Sequence, residues 1–165
     1  MDKDLLIYSK INVLDGVLFV VRDKIGFTYI GTPSEDEENV KTLFKDAIYK
    51  ENDPLFIALE KDFSAYFKGE KETLDVPVHL TGTPFQISVW QILEQIPYGK
   101  TWSYLDVAKA LVAPHKVRAV ANAIGQNKLF VRIPCHRVIG SDGKMRGFGG
   151  GVSLKIQLLK LEKAI

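Results

Sequence analysis

The period of the hydrophobic pattern changes along the chain, and this change restricts the folds that the sequence can adopt. Three apolar runs fall near the N-terminus, at 5–8, 17–22 and 25–30, with turn residues between them. Short apolar runs separated by turns predict strands joined as an antiparallel meander. Most later apolar residues follow helical spacing instead. We therefore expect an α+β protein with a small three-stranded antiparallel sheet at its N-terminus.

Two helices are predicted after this sheet. The first has apolar residues at helical spacing: Val40, Leu43, Phe44, Ala47 and Ile48. Asp53 can cap the second helix, Pro54 fits its first turn, and Gly69 can end it. The second helix carries an apolar stripe that is expected to pack in the core: Leu55, Leu59, Phe63, Tyr66 and Phe67.

The chain changes character near residue 80. Residues 71–80 lack a helical period and contain Pro77, which predicts an extended linker. Residues 1–80 hold 10 Lys and Arg against 16 Asp and Glu, whereas residues 81–165 hold 12 against 4, a net charge of +8. A basic half is typical of nucleic-acid binding, although a solvated basic surface is the alternative. We expect an N-terminal lobe of residues 1–80, linker included, and a C-terminal lobe of residues 81–165.

The C-terminal lobe is predicted to be mostly helical. Thr83 and Gln86 can form a capping box around Pro84, and Ser103 can cap a short helix. A turn at Ala113-Pro114 separates that helix from another, predicted from about His115 to Gly125. A pair of helices joined by a tight turn in a basic lobe favours helix-turn-helix DNA binding, although such pairs are also common elsewhere.

The helix predicted before residue 125 has small side chains around one arginine. They would let it approach a nucleic-acid backbone closely, or equally let it pack tightly in a core. The small residues surround Arg118, a planar cation that can stack in place of a base. They are Ala119, Ala121, Ala123 and Gly125.

Cys135 is the only cysteine of the chain, which excludes an internal disulfide. With three histidines beside it, a cysteine-rich zinc site is excluded too. The apolar run 129–133 predicts a buried strand that presents Cys135 at its end. A lone cysteine is most often inert, but His136, Arg137 and Arg132 would lower the pKa of its thiol and favour the nucleophilic thiolate.

His136 needs a second group to act as a base on this thiol. Adjacent side chains of an extended segment point in opposite directions, so His136 is expected to reach the sulfur through a water or a kinked loop. A base also needs an orienting carboxylate, and Glu162, on a helix predicted over 153–164, is one of four acids in the lobe.

The segment Ile133-Pro134-Cys135-His136-Arg137-Val138 strongly resembles the active-site signature of the O6-alkylguanine-DNA alkyltransferases, also called methylated-DNA–protein-cysteine methyltransferases. Agreement extends over residues 83–162, whereas the N-terminal lobe matches only in layout. The further matching segments are Pro-Tyr-Gly-Lys-Thr at 97–101, Ser103-Tyr104, Arg118-Ala119-Val120, Asn127, the glycine-rich 147–151, Leu158-Leu159 and Glu162.

The resemblance implies DNA repair by direct reversal. The alkyl group on O6 of a guanine, flipped out of double-stranded DNA, is transferred irreversibly to Cys135 in a single turnover. His136 would deprotonate Cys135 through water, Glu162 would orient His136, and Asn127 would brace their loop. Tyr104 matches the tyrosine that gives a proton to the departing guanine. The fold implied is an RNase H-like N-terminal lobe and a winged helix-turn-helix C-terminal lobe that carries the active site.

The resemblance also implies a mode of DNA binding. The helix of small residues would lie in the minor groove, with Arg118 filling the space of the flipped base. Phosphate or supporting contacts are expected from Lys116, Lys128 and Arg137.

The base pocket is expected to use Val138, Phe148, Gly149 and Gly150. Many relatives have Tyr at 148 and Ser at 149, so a side-chain contact to the lesion is changed here. The glycine-rich loop lacks the lysine-serine pair of a phosphate-binding P-loop. Preferred alkyl size and transfer from O4 of thymine stay open.

No cofactor or metal is implied, and the expected partner is double-stranded DNA containing O6-alkylguanine. No apolar run approaches the roughly 20 residues of a membrane-spanning helix and the first residues do not form a signal peptide, so a cytoplasmic protein is expected. We expect a monomer and leave cooperative binding on DNA open.

Three rival functions are weighed against repair. A non-catalytic lesion sensor would replace the cysteine that is present here. A helix-turn-helix regulator leaves the segment 134–138 unexplained, and a cysteine hydrolase would need turnover and an acyl pocket.

Overall fold

The computed structural model describes residues 5–14, 16–145, 147–148 and 150–165. The chain divides into two compact units. The first runs to Thr81 and also includes Lys128–Phe130, and the second comprises Gly82–Asn127 and Val131–Ile165. The boundary after residue 81 lies one residue beyond the expected boundary after residue 80. Residues 128–130, expected in the C-terminal lobe, belong to the first unit.

The first unit is built on a sheet of four strands. Strands β1 (Ile7–Val13), β2 (Gly16–Arg22) and β3 (Phe27–Ile30) form the predicted antiparallel meander. A short strand β4 (Ile48–Tyr49) runs parallel to β1, which gives the order β3-β2-β1-β4. The mixed α+β class is confirmed, and the three-stranded sheet gains one parallel edge strand.

The helix predicted through Ile48 is shorter than expected. Helix α1 (Glu37–Leu43) begins at a capping box of Asp36 and Asn39, and the chain leaves it at Phe44. Beyond the helix, the backbone N–H of Ile48 donates to the carbonyl of Leu6 at 2.9 Å. Pairing with a distant strand therefore overrides the local helical spacing, and the prediction for Ala47 and Ile48 was wrong.

Helix α2 (Pro54–Phe67) starts and ends as predicted. The side chain of Asp53 accepts from the N–H of Leu55, and Gly69 adopts φ 75° after the last turn. Its buried residues are Phe56, Leu59, Phe63 and Tyr66.

The predicted linker is extended but belongs to the first unit. The N–H of Phe27 donates to the carbonyl of Pro77 at 2.9 Å, and that of His79 to the carbonyl of Phe27 at 2.8 Å. A Cβ on Gly26 would lie 2.5 Å from the Pro77 carbonyl oxygen, so only glycine fits at this crossing. Residues 128–130 pair with β3 through Ile30.

The second unit is mostly helical. It contains α3 (Pro84–Leu93), α4 (Tyr104–Ala110), α5 (Val117–Gly125) and α6 (Val152–Leu161). Strands β5 (Trp102–Ser103) and β6 (Val138–Ile139) form a parallel pair. The capping boxes at Thr83 and Ser103 are present, whereas α5 follows a 3-10 turn and starts two residues later than predicted. None of the described helices is long and apolar enough to cross a membrane.

The buried strand predicted over 129–133 is absent. Leu129 makes one isolated bridge to Ile30, and the chain then turns at Val131, whose φ is 64°. Valine rarely adopts this left-handed conformation because its side chain is branched at Cβ. The run is apolar because Leu129, Val131 and Ile133 are buried, and burial does not require a strand.

Candidate active site and nucleic-acid interface

Cys135 opens a 3-10 turn, Cys135–Arg137, that leads directly into β6. A 3-10 turn has three residues per turn, so its consecutive side chains point about 120° apart. Cys135 is therefore partly exposed while the next two side chains are buried. The side chains of Cys135 and His136 were expected to point in opposite directions, as in an extended segment. They do not, because this segment is a 3-10 turn.

The environment of the thiol differs from the expected one. Burial raises the pKa of Cys135, while a hydrogen bond with Asn127 and the charge of Lys155 act in the opposite direction. The expectation of a pKa lowered by His136, Arg137 and Arg132 was wrong. Arg132 is paired with Glu94 at 2.6 Å, and Arg137 points into the interior.

The buried network beside the cysteine is centred on Glu162. His136 Nε2 donates to Glu162 Oε2 at 2.7 Å, and Arg137 Nε donates to Oε1 at 2.8 Å. Arg137 Nη1 also donates to the carbonyl of Ile96 at 2.7 Å. Glu162 is the residue that follows the last turn of α6, so the helix end presents its carboxylate to the 3-10 turn. The sequence had suggested Glu162 as the partner of His136, and the structure brings them together.

The His136 ring is in the neutral form that a general base requires. Burial lowers the pKa of His136, and its interaction with Glu162 only partly opposes this. A neutral ring that donates from Nε2 carries a lone pair on Nδ1. Nδ1 is buried and has no hydrogen-bond partner among the described residues. This nitrogen can therefore accept a proton.

Asn127 joins the end of α5 to the cysteine loop. Its Nδ2 donates to the carbonyl of Ile133 at 2.8 Å, and its side chain also bonds to Cys135. The amide therefore contacts the loop on both sides of Pro134.

A cleft of about 860 Å³ opens in the second unit. Tyr104, the first residue of α4, lies on one side, and Arg118 and Phe148 contribute longer side chains to the wall. The lining residues are Tyr104, Val117, Arg118, Ala121, Gly125, Gly147 and Phe148. Of the predicted base-pocket residues, Val138 is fully buried in β6, Gly150 is partly buried, and Gly149 lies outside the described residues.

The exposed face of α5 is narrower than expected. Arg118, Ala119 and Gly125 are exposed and Ala121 is partly so, but Ala123 is 2% exposed. Its carbonyl accepts from Trp90 Nε1 at 2.9 Å, so Ala123 faces α3. At 100° per residue, positions 123 and 124 lie about 60° and 40° on either side of the buried position 120. The three share one buried face, and the prediction that Ala123 contacts DNA was wrong.

The predicted phosphate contacts separate into two groups. Lys116 is exposed, with Nζ 5.8 Å from the centre of the Phe85 ring, and Lys128 is exposed and donates to the carbonyl of Thr81 at 3.1 Å. Arg137 is buried and paired with Glu162. It therefore supports the Glu162 carboxylate and cannot reach a phosphate.

Lys155 is the site residue that the sequence analysis missed. Its side chain is buried in α6, and its Nζ donates to the carbonyl of Val138. The spacing contained a signal, because 155, 158, 159 and 162 lie on one helical face, and Leu158, Leu159 and Glu162 are all buried.

Comparisons with known proteins identify the family of the chain. Residues 84–164 match the family model of the 6-O-methylguanine DNA methyltransferase, DNA binding domain. The inducible methylated-DNA–protein-cysteine methyltransferase of Bacillus subtilis is 34% identical over 98% of this chain and 93% of its own length.

Solved structures agree over both units. The O6-methylguanine methyltransferase of Mycobacterium tuberculosis superposes with a TM-score of 0.84 at 36% identity, covering 97% of this chain and 94% of that one. The structure of Mycobacterium tuberculosis OGT in complex with DNA has a TM-score of 0.84 at 36% identity and covers 95% and 92%. The resemblance carried by residues 133–138 is confirmed, and the chain belongs to the family of methylated-DNA–protein-cysteine methyltransferases.

Proposed function

We propose that this protein repairs DNA by transferring an alkyl group irreversibly from O6 of guanine to the sulfur of Cys135, once per molecule. The observation that carries the proposal is the partly exposed Cys135 beside a buried His136 whose Nδ1 can accept a proton. Membership of the family supplies the substrate class, and the DNA bound by a structural relative is consistent with it.

The reaction begins with loss of the thiol proton. His136 Nδ1 takes this proton through a bridging water, and Glu162 stabilises the imidazolium that forms. Arg137 holds Glu162 in place by two hydrogen bonds, at 2.8 and 3.1 Å. Asn127 braces the loop and contacts the sulfur.

The thiolate then attacks the alkyl carbon in line with the bond to O6. The S–C bond forms as the C–O6 bond breaks, and the electron pair of the broken bond passes to guanine. Tyr104 donates a proton to the departing base. The Tyr104 phenolate then takes up a proton from solvent while the His136 imidazolium releases one, so the net change moves the alkyl group to sulfur and one proton to guanine, and no cofactor is needed.

The substrate base has to leave the duplex to reach this cysteine. Extrusion of a base costs a few kcal/mol, least for a damaged one. The cleft beside Tyr104 and Phe148 is the receiving pocket. Contacts to the base from Val138, Gly149 and Gly150 are part of the proposal. Arg118 fills the vacated space while Ala119 and Ala121 of α5 approach the minor groove. Lys116 and Lys128 contact phosphates.

The proposal also covers the fold of each unit and the oligomeric state. Helices α4 and α5 with their turn form a helix-turn-helix, and the β5–β6 pair is its wing. The sheet and helices of the first unit are RNase H-like. The protein acts as a monomer on double-stranded DNA.

The test is stoichiometric. The protein is incubated with excess duplex containing one O6-methylguanine, and intact mass and peptide mapping follow the methyl group. We expect one methyl per protein, on Cys135, and restored guanine in the DNA. Cys135→Ala is the control, which should bind the duplex and receive no methyl.

Other outcomes favour the rivals. Several guanines restored per protein would contradict a single turnover and indicate an enzyme that regenerates its thiol. An unmodified protein that still binds the lesion selectively would be a sensor. A duplex carrying O4-methylthymine, tested in parallel, shows whether the same thiolate accepts a second lesion.

A further inference from the structure

We propose that Lys155 is a positioning residue whose buried positive charge stabilises the thiolate of Cys135 as it forms. This inference rests on the proposed role of Cys135 as the nucleophile. It assigns a function to a lysine that the steps described above do not use.

The location of Lys155 is unusual for its residue type. Its side chain is only 1% exposed, on the α6 face that also carries Leu158 and Leu159. Lysines are almost never fully buried unless their charge is compensated, because removing an ammonium group from water costs several kcal/mol. Such a position therefore needs a compensating interaction.

The hydrogen bond of Lys155 fixes its direction. Nζ donates to the carbonyl of Val138, the residue that follows the 3-10 turn containing Cys135. The ammonium group is thereby held at the backbone that carries the nucleophile. Because α6 also ends in Glu162, one helix contacts the cysteine turn with both a cation and an anion.

The remaining charged groups around the thiol largely compensate one another. Arg137 is paired with Glu162, and His136 donates to the same carboxylate. Burial lowers the pKa of His136, so the ring is neutral until it accepts the thiol proton. Among the residues that the structure describes, the positive charge that acts on the sulfur is that of Lys155.

The electrostatic interaction between lysine and cysteine is mutual. The charge of Lys155 lowers the pKa of Cys135 against the effect of burial, and the thiolate raises the pKa of Lys155 against the same effect. Burial brings the pKa of Lys155 down to about 8, so the amine still carries its proton near neutral pH.

The test titrates the thiol without DNA. Thiolate absorbance in the far ultraviolet is followed against pH, with Cys135→Ser as the blank, and reports one group because the chain has a single cysteine. Lys155→Met should lower the fraction of thiolate near neutral pH roughly tenfold, because the amine carries its proton in that pH range. Lys155→Arg keeps the charge and should restore most of the thiolate. Lys160→Met removes an exposed lysine of the same helix and should change nothing.

Two results would overturn the proposal. One is a folded Lys155→Met variant with the titration of the parent protein. The other is a Lys155→Arg variant as impaired as Lys155→Met, because a purely steric role would then explain both.

A second measurement needs no change at Lys155. Carbon-13 NMR of the lysine side chains follows the Lys155 titration in the parent protein and in Cys135→Ser. The midpoint should fall in Cys135→Ser, since the thiolate that favours the ammonium form is gone, and an unchanged midpoint would refute the coupling. Neither measurement depends on alkyl transfer, so failure of the repair assay and failure of this inference are separable.

Discussion

Replacement of Arg137 by methionine should destabilise the second unit much more than replacement of Arg132. Both arginines are paired with a glutamate within this unit. The side chains of Arg137 and Glu162 are 9% and 0% exposed, whereas those of Arg132 and Glu94 are 22% and 35% exposed. The two variants therefore compare a buried pair with a surface pair in the same fold.

The expected magnitudes follow from burial. Removing one partner of a buried ion pair leaves an uncompensated charge and costs about 3–5 kcal/mol. Arg137→Met also removes the donor to the Ile96 carbonyl, so the upper part of this range is expected. Arg132→Met should cost about 0.2–1 kcal/mol, as exposed pairs do. The double variant Arg137→Met, Glu162→Gln should recover part of the loss because the unpaired buried carboxylate is also removed.

The assay is urea unfolding followed by tryptophan fluorescence. Both tryptophans, Trp90 and Trp102, lie in the second unit, so their signal reports that unit. Equal destabilisation by Arg137→Met and Arg132→Met would refute the reasoning. So would a double variant that is no more stable than Arg137→Met, because the penalty would then not arise from the unpaired carboxylate.

Three further predictions concern the cleft and the first unit. Tyr104→Phe should slow methyl transfer by about 10²-fold with little loss of duplex affinity, since only the proton donor is removed and the ring remains; single-turnover kinetics and a binding titration measure the two. Arg118→Ala should slow transfer from duplex more than from free O6-methylguanine, because only the duplex has a stack to fill; the two rates are compared. Asp23→Asn should make the free energy of unfolding fall less steeply as pH decreases from about 5 to about 2, measured by urea unfolding with circular dichroism. Burial acts to raise the pKa of Asp23, but hydrogen bonds from His79 and two backbone N–H groups outweigh it and hold the pKa below its ordinary value, so this stabilisation is lost as pH falls.

Each of these predictions has a contradicting result, and two of them have a control variant. An unchanged transfer rate in Tyr104→Phe would remove its role as proton donor. Arg118→Lys keeps the charge without the planar group, and equal losses on duplex and free base would exclude a role in flipping. Asp46→Asn changes an exposed aspartate of the same unit, and a free energy of unfolding that falls equally steeply in all three proteins would exclude a contribution from Asp23.

The helix starts were predictable because capping is a local interaction. Asp53, Thr83 and Ser103 each accept a hydrogen bond from a backbone N–H two or three residues later. Such contacts depend on neighbouring residues alone, so they can be recognised in the sequence. The hairpin between β1 and β2 was predictable for the same reason.

The two wrong element predictions depend on distant partners. Ile48 continues a helical pattern but pairs with β1, and the run 129–133 is apolar like a strand but turns at Val131. In both segments the local pattern does not show which distant part of the chain the residues contact.

The sequence by itself determined which reactive groups are available, because the signature around Cys135, the candidate carboxylate Glu162 and the basic C-terminal half are all carried by residue identity. Only the tertiary structure decided which charged side chains lie inside. Arg137 and Lys155 look like surface cations in the sequence, yet both are buried, and Ala123 looks exposed but faces α3. Burial is set by the elements that pack around a residue, and those come from distant parts of the chain.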